Sequence, residues 1–351
     1  VSAFPVPVEQ LRWLVWTAFA VAAYGIVLGY VYVHSVSPIN ATDSYLYLRI
    51  NDGKIAEGAV WAALFLPTIS SKWERLSDFG IAILYLIGLI PSLILFGFSD
   101  QPRAMIYTII AGYAAAVAGA RLPLRIPQFR IRTQRPAARY IAAGTAAFTL
   151  LWYLARNAGS FNFDLAAVYQ YRDQANSIFN YGPVSYLATW TFRIMTPYCM
   201  CYFLFHRKWA AFAAAFAFQI FAPVIFQEKS VFIPCVMLAV LYFLPKGHGA
   251  VIGLIAMFVA SIAACELIYD IWGNFIPIQL WPRRFFFDQQ FLYFSYFDVF
   301  SKIGFVYYSD SFMQWFIHYP FPDYPAAMVQ YYAMGKIVGD PNTGFLGAGY
   351  M

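Results

Sequence analysis

Residues 13–33 read WLVWTAFAVAAYGIVLGYVYV, a run without a single charged side chain. A helix needs about 20 consecutive apolar residues to cross the hydrocarbon core of a bilayer, so this run is long enough for one membrane span. The whole chain has the same character: of 351 residues, 61% are hydrophobic and 11% are charged, whereas a soluble domain carries about 25% charged residues. This composition argues against a soluble globular protein and predicts an all-α polytopic integral membrane protein.

Similar apolar runs recur along the chain and predict about nine transmembrane segments. Residues 58–71 are the shortest run and contain Pro67, so this segment spans at a tilt, is broken, or re-enters the membrane. Besides 58–71, the segments are 13–33, 79–99, 104–120, 140–155, 183–205, 209–227, 230–245 and 249–265. Arg193 interrupts the run 183–205.

The basic residues predict how these segments are oriented, because cytoplasmic loops of membrane proteins carry an excess of Lys and Arg. The loop 121–139 contains six arginines and no acidic residue, and the predicted alternation puts the basic groups 206–208 and 246–248 on the same side. We therefore expect these three stretches in the cytoplasm of a bacterium, and the chain in its inner membrane. The loops 34–55 and 156–182 and the chain after residue 270 then face the outside.

These assignments divide the chain into a transmembrane helical bundle, residues 1–270, and a large outer loop region, residues 271–351. Between Trp281 and Tyr332, 21 of 52 residues are aromatic. Such density is typical of segments at a membrane surface and predicts interfacial helices. Phenylalanines at 291, 294, 297 and 300 recur every three residues, which predicts one helix face packed on the other segments.

Arginine is unexpected on the outside, yet Arg172, Arg283 and Arg284 lie there in this topology, and Arg193 lies within a span. A central arginine costs about 2.5–3.5 kcal/mol on insertion scales, so it normally faces a cavity or a partner. One interpretation is a salt bridge to an acidic residue, with Asp288 close enough to balance the pair at 283–284. The other is a shared anionic ligand, since a guanidinium binds phosphate oxygens bidentately.

Groups that could move a proton are less clearly marked. Asp310, in YYSDSF, and His318, in WFIHYPF, are the candidate bases, and a packing role is the alternative for His318. The four cysteines lie in apolar runs and are predicted to be buried hydrophobes rather than ligands. Nothing shows the ligand spacing of a metal site, so we expect no metal and no cofactor.

The order of several stretches resembles the Wzy-type polymerases of bacterial O-antigen, capsule and exopolysaccharide. These stretches are RRFFFDQQFLYFSYFDVFSK (283–302), YYSDS (307–311) and NTGFLGAGY (342–350), preceded by VYQYRDQANSIFNYG (168–182) and Arg193. The resemblance covers roughly the second half of the chain. Members of that family usually have further spans after the large outer loop, so we expect such spans beyond residue 351.

The resemblance implies an integral-membrane glycosyltransferase of the C type. Its donor would be a glycan on undecaprenyl pyrophosphate, and its acceptor the non-reducing end of a repeat unit on a second such lipid. Arg172, Arg193, Arg283 and Arg284 would bind the pyrophosphate leaving group, while Tyr171, Trp281 and Asn342 would contact substrate. The expected partners are the undecaprenyl-pyrophosphate-linked oligosaccharide, membrane lipids and a chain-length regulator; nucleic acid is not expected.

Two other functions are compatible with the same residues. A polysaccharide ligase would use the same donor site and differ only in its acceptor cavity. A membrane transporter of an anionic or lipid-linked substrate would place charges along a path through several spans and often has two similar halves. The chain has one strong charge within a span and no repeated halves, which favours the polymerase.

Overall fold

The computed structural model describes residues 8–40, 46–122, 135–156, 183–226, 235, 238, 242, 249–306, 309, 316–323 and 325–334. These residues are helical or irregular, and none of them lies in a β-strand. Among them, four helices are long and apolar enough to cross a membrane: Leu11–Asn40, Ser77–Phe98, Arg103–Arg121 and Ala250–Trp272. The all-α class is confirmed, and the total of about nine spans stays a prediction.

The chain forms two compact units, residues 1–124 with 245–351 and residues 125–244. The helices of the first unit are α1 (Val8–Val31), α2 (Asp52–Phe65), α3 (Leu76–Ile83, Leu84–Leu89 and Ile90–Phe98) and α4 (Arg103–Arg121). Those of the second are α5 (Arg135–Arg156), α6 (Pro183–Trp190, Thr191–Met195 and Thr196–Phe205) and α7 (Trp209–Phe226). The first unit resumes with α8 (Ala250–Trp272), α9 (Ile276–Ile278, Gln279–Asp288 and Gln289–Ile303) and α10 (Pro325–Met334).

Helices α1, α3 and α8 run in the same direction and form the centre of the first unit. The Tyr24 hydroxyl donates to the Leu86 carbonyl at 2.8 Å, and its ring lies 6.1 Å from that of Phe258. Helix α1 continues through a π-helical turn, Tyr32–Val36, and a further helical turn, Ser37–Asn40. Within the π-helical turn, ten residues after Tyr24, His34 contacts Glu266 of α8. The hydroxyl groups of Tyr32 and Ser99 form a hydrogen bond of 2.6 Å. We call the end of the unit where these three helices finish the Ser99 end.

Helix α2 runs antiparallel to α3 and approaches it closely. A Cβ atom on Gly97 would lie 2.5 Å from the Ile55 side chain, and one on Gly58 would lie 3.4 Å from the Leu93 carbonyl oxygen. The segment before α2 is tied to α3 as well, because the amide of Asn51 donates to the Gly97 carbonyl at 2.9 Å. Glycine at position 97 is therefore required by the backbone contact.

The structure corrects the predicted bounds of this short segment. The apolar run suggested 58–71, but α2 begins at Asp52 and is followed by a 3-10 turn, Leu66–Thr68, that contains Pro67. Charged residues are accommodated in the first turns because they have partners. Lys54 donates to the Gln101 carbonyl at 2.5 Å, and Arg103 pairs with Glu57 at 2.9 Å.

Helix α4 begins at the Ser99 end and finishes at the opposite end, where Arg121 donates to the Thr68 carbonyl at 3.2 Å. Its bounds agree with the predicted span 104–120. Helix α8, by contrast, is seven residues longer than the predicted 249–265 at its C-terminal end. It continues through Glu266 and Asp270 to Gly273, whose φ of 62° ends the helix.

Helix α9 is packed into the first unit rather than laid over it. Phe286 and Phe287 are fully buried, and Phe286 contacts both Tyr24 and Phe258. Deeper along α9, Gln290 donates to the Ile87 carbonyl at 3.0 Å and accepts from Ser92 at 2.8 Å. The predicted face at positions 291, 294, 297 and 300 is buried at three positions and partly exposed at Phe297.

The second unit contains α5, α6 and α7. Helix α6 occupies the predicted range 183–205 and is interrupted by a π-helical turn, Thr191–Met195. Gln219 of α7 donates to the Phe192 carbonyl in this turn at 2.9 Å, and the Phe192 and Phe218 rings stack at 5.1 Å. Of the predicted span 230–245, only Cys235, Leu238 and Tyr242 are described, all in helical conformation.

Candidate functional site

Arg283 and Arg284 lie on a ten-residue π-helical stretch of α9, Gln279–Asp288. Pro282 lies inside this stretch, and a proline removes a backbone donor from the helical ladder. π-Helical turns are rare in proteins, and many of those that occur lie at functional sites. The stretch starts at the Ser99 end, because Gln279 donates to the side chain of Asn40 at 3.3 Å. Asn40 is the last residue of the helical turn Ser37–Asn40, which follows α1.

The Arg283 guanidinium is held from both sides along its own helix. Its Nε donates to Asp288 Oδ1 at 3.2 Å, and Nη1 donates to the Gln279 side-chain oxygen in a short contact. The side chains of Arg283 and Asp288 are 25% and 17% exposed. Asp288 therefore balances the charge of Arg283, as one of the two interpretations of the sequence predicted. Arg284, the next residue, is exposed.

The aromatic residues on either side of the arginine pair attach this stretch to α8. The indole N–H of Trp281 donates to Ser261 Oγ at 3.0 Å, and the Trp281 ring stacks on Phe285 at 4.5 Å. Trp281 is thus half-buried in the α8–α9 contact, and its predicted contact with substrate stays a prediction.

Arg193 lies on the π-helical turn of α6, in the second unit, and is exposed. At the start of this turn, the buried Thr191 hydroxyl donates to the Leu187 carbonyl at 2.8 Å. Three of the predicted arginines therefore lie on π-helical turns, which the sequence pattern did not indicate: Arg193 on one turn, and Arg283 and Arg284 on another. Whether they meet at one ligand stays a prediction.

The other predicted site residues are only partly covered. His318 is exposed in the irregular segment 316–323, and its predicted role as a base stays a prediction. Its neighbour Tyr319 packs on the cluster formed by Phe300 and Val329. Tyr171, Arg172, Asp310 and Asn342 lie outside the described residues.

A second group of ionisable residues lies at the Ser99 end. His34 Nδ1 is 2.6 Å from Glu266 Oε1 and 3.9 Å from Asp270 Oδ1. Ser35 donates to the same Glu266 oxygen in a short hydrogen bond. His34 and Ser35 are more than 230 positions from Glu266 in sequence, so no local spacing could have indicated the cluster. Only the parallel packing of α1 on α8 brings them together.

A third charged group fixes the Ser99 end. Asp100 pairs with Lys54 at 2.8 Å and with Arg49 at 3.2 Å, and Asn51 also donates to it at 2.9 Å. The hydrogen bond from the Lys54 ammonium is the main cause that lowers the pKa of Asp100 below its ordinary value of 3.8. This group joins the start of α2 to the end of α3.

An apolar groove of about 740 Å³ runs between α1, α2 and α3. Small residues line much of it, including Gly25, Gly29, Gly58 and Ala62, and its lining contains no charged residue. A groove of this composition can hold a hydrocarbon chain but cannot perform acid–base chemistry. Tyr30 lines it near the Ser99 end and also stacks on the ring of His34.

Comparisons of the chain with protein-family models, with curated proteins and with solved structures found no match.

Proposed function

We propose that the chain polymerises lipid-linked oligosaccharide repeat units. The acceptor sugar hydroxyl attacks the anomeric carbon of the donor glycan, the bond from that carbon to undecaprenyl pyrophosphate breaks, and the hydroxyl proton passes to a base. The observation that carries the proposal is the π-helical stretch of α9, which presents Arg283 and Arg284 at the Ser99 end of apolar helices. The resemblance to Wzy-type polymerases supports it.

Arginines suit the proposed reaction because negative charge grows on the pyrophosphate as the anomeric bond breaks. Donors that are already oriented stabilise this charge more in the transition state than in the ground state. Gln279 and Asp288 hold Arg283 in one orientation, and Arg284 beside it is exposed. We propose that Arg172 and Arg193 complete the set.

The geometry of α4 supports an outward-facing site. The arginine-rich loop 121–139 leaves α4 at the end opposite to Ser99, as the contact of Arg121 with Thr68 places its first residue there. Arg283 is tied, through Gln279, to the Ser99 end. Since basic loops are retained in the cytoplasm, we propose that the Ser99 end faces the periplasm.

The apolar groove supports a lipid-linked substrate. In the proposed complex it takes part of the polyprenyl tail, which makes only apolar contacts. The proposed base is His318 or Asp310; His318 is exposed and therefore free to meet an acceptor hydroxyl.

The proposal is tested in cells whose native gene is deleted, by running the surface glycan on a gel. Alanine at Arg172, Arg193, Arg283 or Arg284 is expected to reduce the long-chain ladder to single repeats. Arg49→Ala is the control, because Arg49 is also an exposed arginine of the Ser99 end and pairs with Asp100. Normal ladders from all four variants contradict the proposal. Long chains that stay on the lipid carrier would instead indicate a ligase.

A further inference from the structure

The cluster of His34, Ser35, Glu266 and Asp270, which we call the His34 cluster, carries an inference independent of glycan transfer. One ligand atom from each of His34, Glu266 and Asp270 lies within 4.8 Å of the others. The imidazole and the two carboxylates come from the ends of two helices packed side by side. We infer that the His34 cluster binds one divalent transition-metal ion, such as Zn²⁺ or Mn²⁺.

The Glu266 carboxylate provides the observation that points to a ligand. Its side chain is only 7% exposed. Oε1 accepts from Ser35 and contacts His34, but Oε2 is buried and has no hydrogen-bond partner among the described residues. A buried carboxylate oxygen without a partner is costly, and a cation bound by both oxygens of this carboxylate would remove that cost.

The distances allow one ion with modest movement. Nitrogen and oxygen ligands bind Zn²⁺ at about 2.0–2.2 Å, so two ligands of one ion lie about 3–3.5 Å apart. The distances of His34 Nδ1 to the two carboxylates, 2.6 and 3.9 Å, lie on either side of this value. His34 and Asp270 are 44% and 45% exposed, so their side chains can adjust around the fixed Glu266.

The ligand chemistry selects the class of ion. Imidazole nitrogen suits Zn²⁺ and related metals, and carboxylate oxygens also suit Mn²⁺, whereas Mg²⁺ prefers oxygen ligands and water alone. Two carboxylates balance the charge of a divalent ion. Neighbouring residues orient the ligands, as is usual around metal sites: Ser35 donates to Glu266, and Tyr30 stacks on the His34 ring with centroids 5.1 Å apart.

The bound ion would join the C-terminal ends of α1 and α8 and leave room for water on the exposed side. It would therefore hold together two helices that are far apart in sequence. The inference does not depend on the identity of the substrate, because it concerns binding of the metal alone.

The test is titration of the purified, chelator-treated protein in detergent with Zn²⁺, followed by calorimetry and by thermal melting. We expect one Zn²⁺ per chain, a higher Tm with Zn²⁺, and binding at least about tenfold weaker in His34→Ala and Glu266→Gln. Asp298→Asn is the matched control, since Asp298 is 62% exposed and pairs with Lys302; it should bind like the wild type.

The inference is overturned if no stoichiometric binding of Zn²⁺ occurs. It is equally overturned if His34→Ala and Glu266→Gln bind as tightly as the control. Should Glu266→Gln fail to fold, His34→Ala and Asp270→Asn decide the question, because both positions are half-exposed and tolerate substitution.

Discussion

The Nε atom of Arg283 lies 3.2 Å from Oδ1 of Asp288, five residues further along the same helix. In a π-helix, hydrogen bonds join residues five apart, so this spacing places the two side chains on one face. Gln279, four residues before Arg283, contacts the guanidinium from the other side. The π-helical geometry therefore determines how the arginine is oriented.

The first prediction concerns this pair. Asp288→Ala leaves a half-buried guanidinium without its carboxylate, and we expect a lower Tm. A double-mutant cycle with Arg283→Ala should give a coupling of about 1 kcal/mol, the upper range for partly exposed ion pairs. The measurement is thermal unfolding of the two single variants and the double variant. Strict additivity of the two effects would show that the pair contributes nothing.

A second prediction tests the close contact of α2 with α3. Gly97→Ala places a methyl group 2.5 Å from the Ile55 side chain and 3.1 Å from its backbone, so the helices must separate. Overpacking of this kind costs about 1–3 kcal/mol, and we expect a Tm lower by several degrees. Gly80→Ala, in the same helix with nothing within 4 Å, should leave the Tm unchanged or raise it. Equal effects of both changes would contradict the packing.

The third prediction concerns pH. The folded-state pKa of Asp100 lies below its ordinary value of 3.8, chiefly because Lys54 donates to it. The resulting stability is present above the unfolded-state pKa and is lost as the pH falls through the lower folded-state pKa. Asp100→Asn should therefore lower the Tm at pH 6, and the difference from wild type should shrink as the pH falls below 4.

Asparagine is the right substitution for this experiment, because Asp100 has a φ of 51° and Asn tolerates this left-handed conformation. A difference between variant and wild type that stays constant from pH 6 to pH 3 would show that the charge of Asp100 is not the cause.

A fourth prediction tests the burial of α9. Gln290 is 4% exposed and satisfies the Ile87 carbonyl. Gln290→Leu leaves that acceptor without its side-chain donor, which costs about 1–3 kcal/mol where no water replaces it. The neighbouring Gln289 is exposed, so Gln289→Leu is the control. If both variants melt at the wild-type temperature, α9 lies outside the core.

Apolar length predicted the bounds of α6 and α4 well. The range 183–205 of α6 was predicted correctly because Pro183 marks its start and the basic group at 206–208 follows its end. Arg103 and Arg121 mark the two ends of α4. The start of α2 and the end of α8 were missed, because each contains charged residues that are paired in the structure. A charge count cannot anticipate these partners. The residues are Lys54 and Glu57 in α2, and Glu266 and Asp270 in α8.

The site was predictable only in part. An excess of arginine in an apolar setting pointed to Arg283, and proximity in sequence pointed to Asp288 as its partner. The π-helical turns could not be foreseen, since they depend on how α9 and α6 pack rather than on a residue pattern. The His34 cluster depends on two helices more than 200 residues apart, and no periodicity of one sequence shows such a contact.

The central claim is that the chain joins lipid-linked repeat units, and it is tested most directly with purified components. The protein in lipid nanodiscs is mixed with undecaprenyl-pyrophosphate-linked repeat units, and the products are resolved by mass spectrometry. We predict glycans of two or more repeats on one lipid, one undecaprenyl pyrophosphate released for each new linkage, and loss of both products in Arg284→Ala. Recovery of unchanged single repeat units from the wild-type protein, with no undecaprenyl pyrophosphate released, would contradict the account.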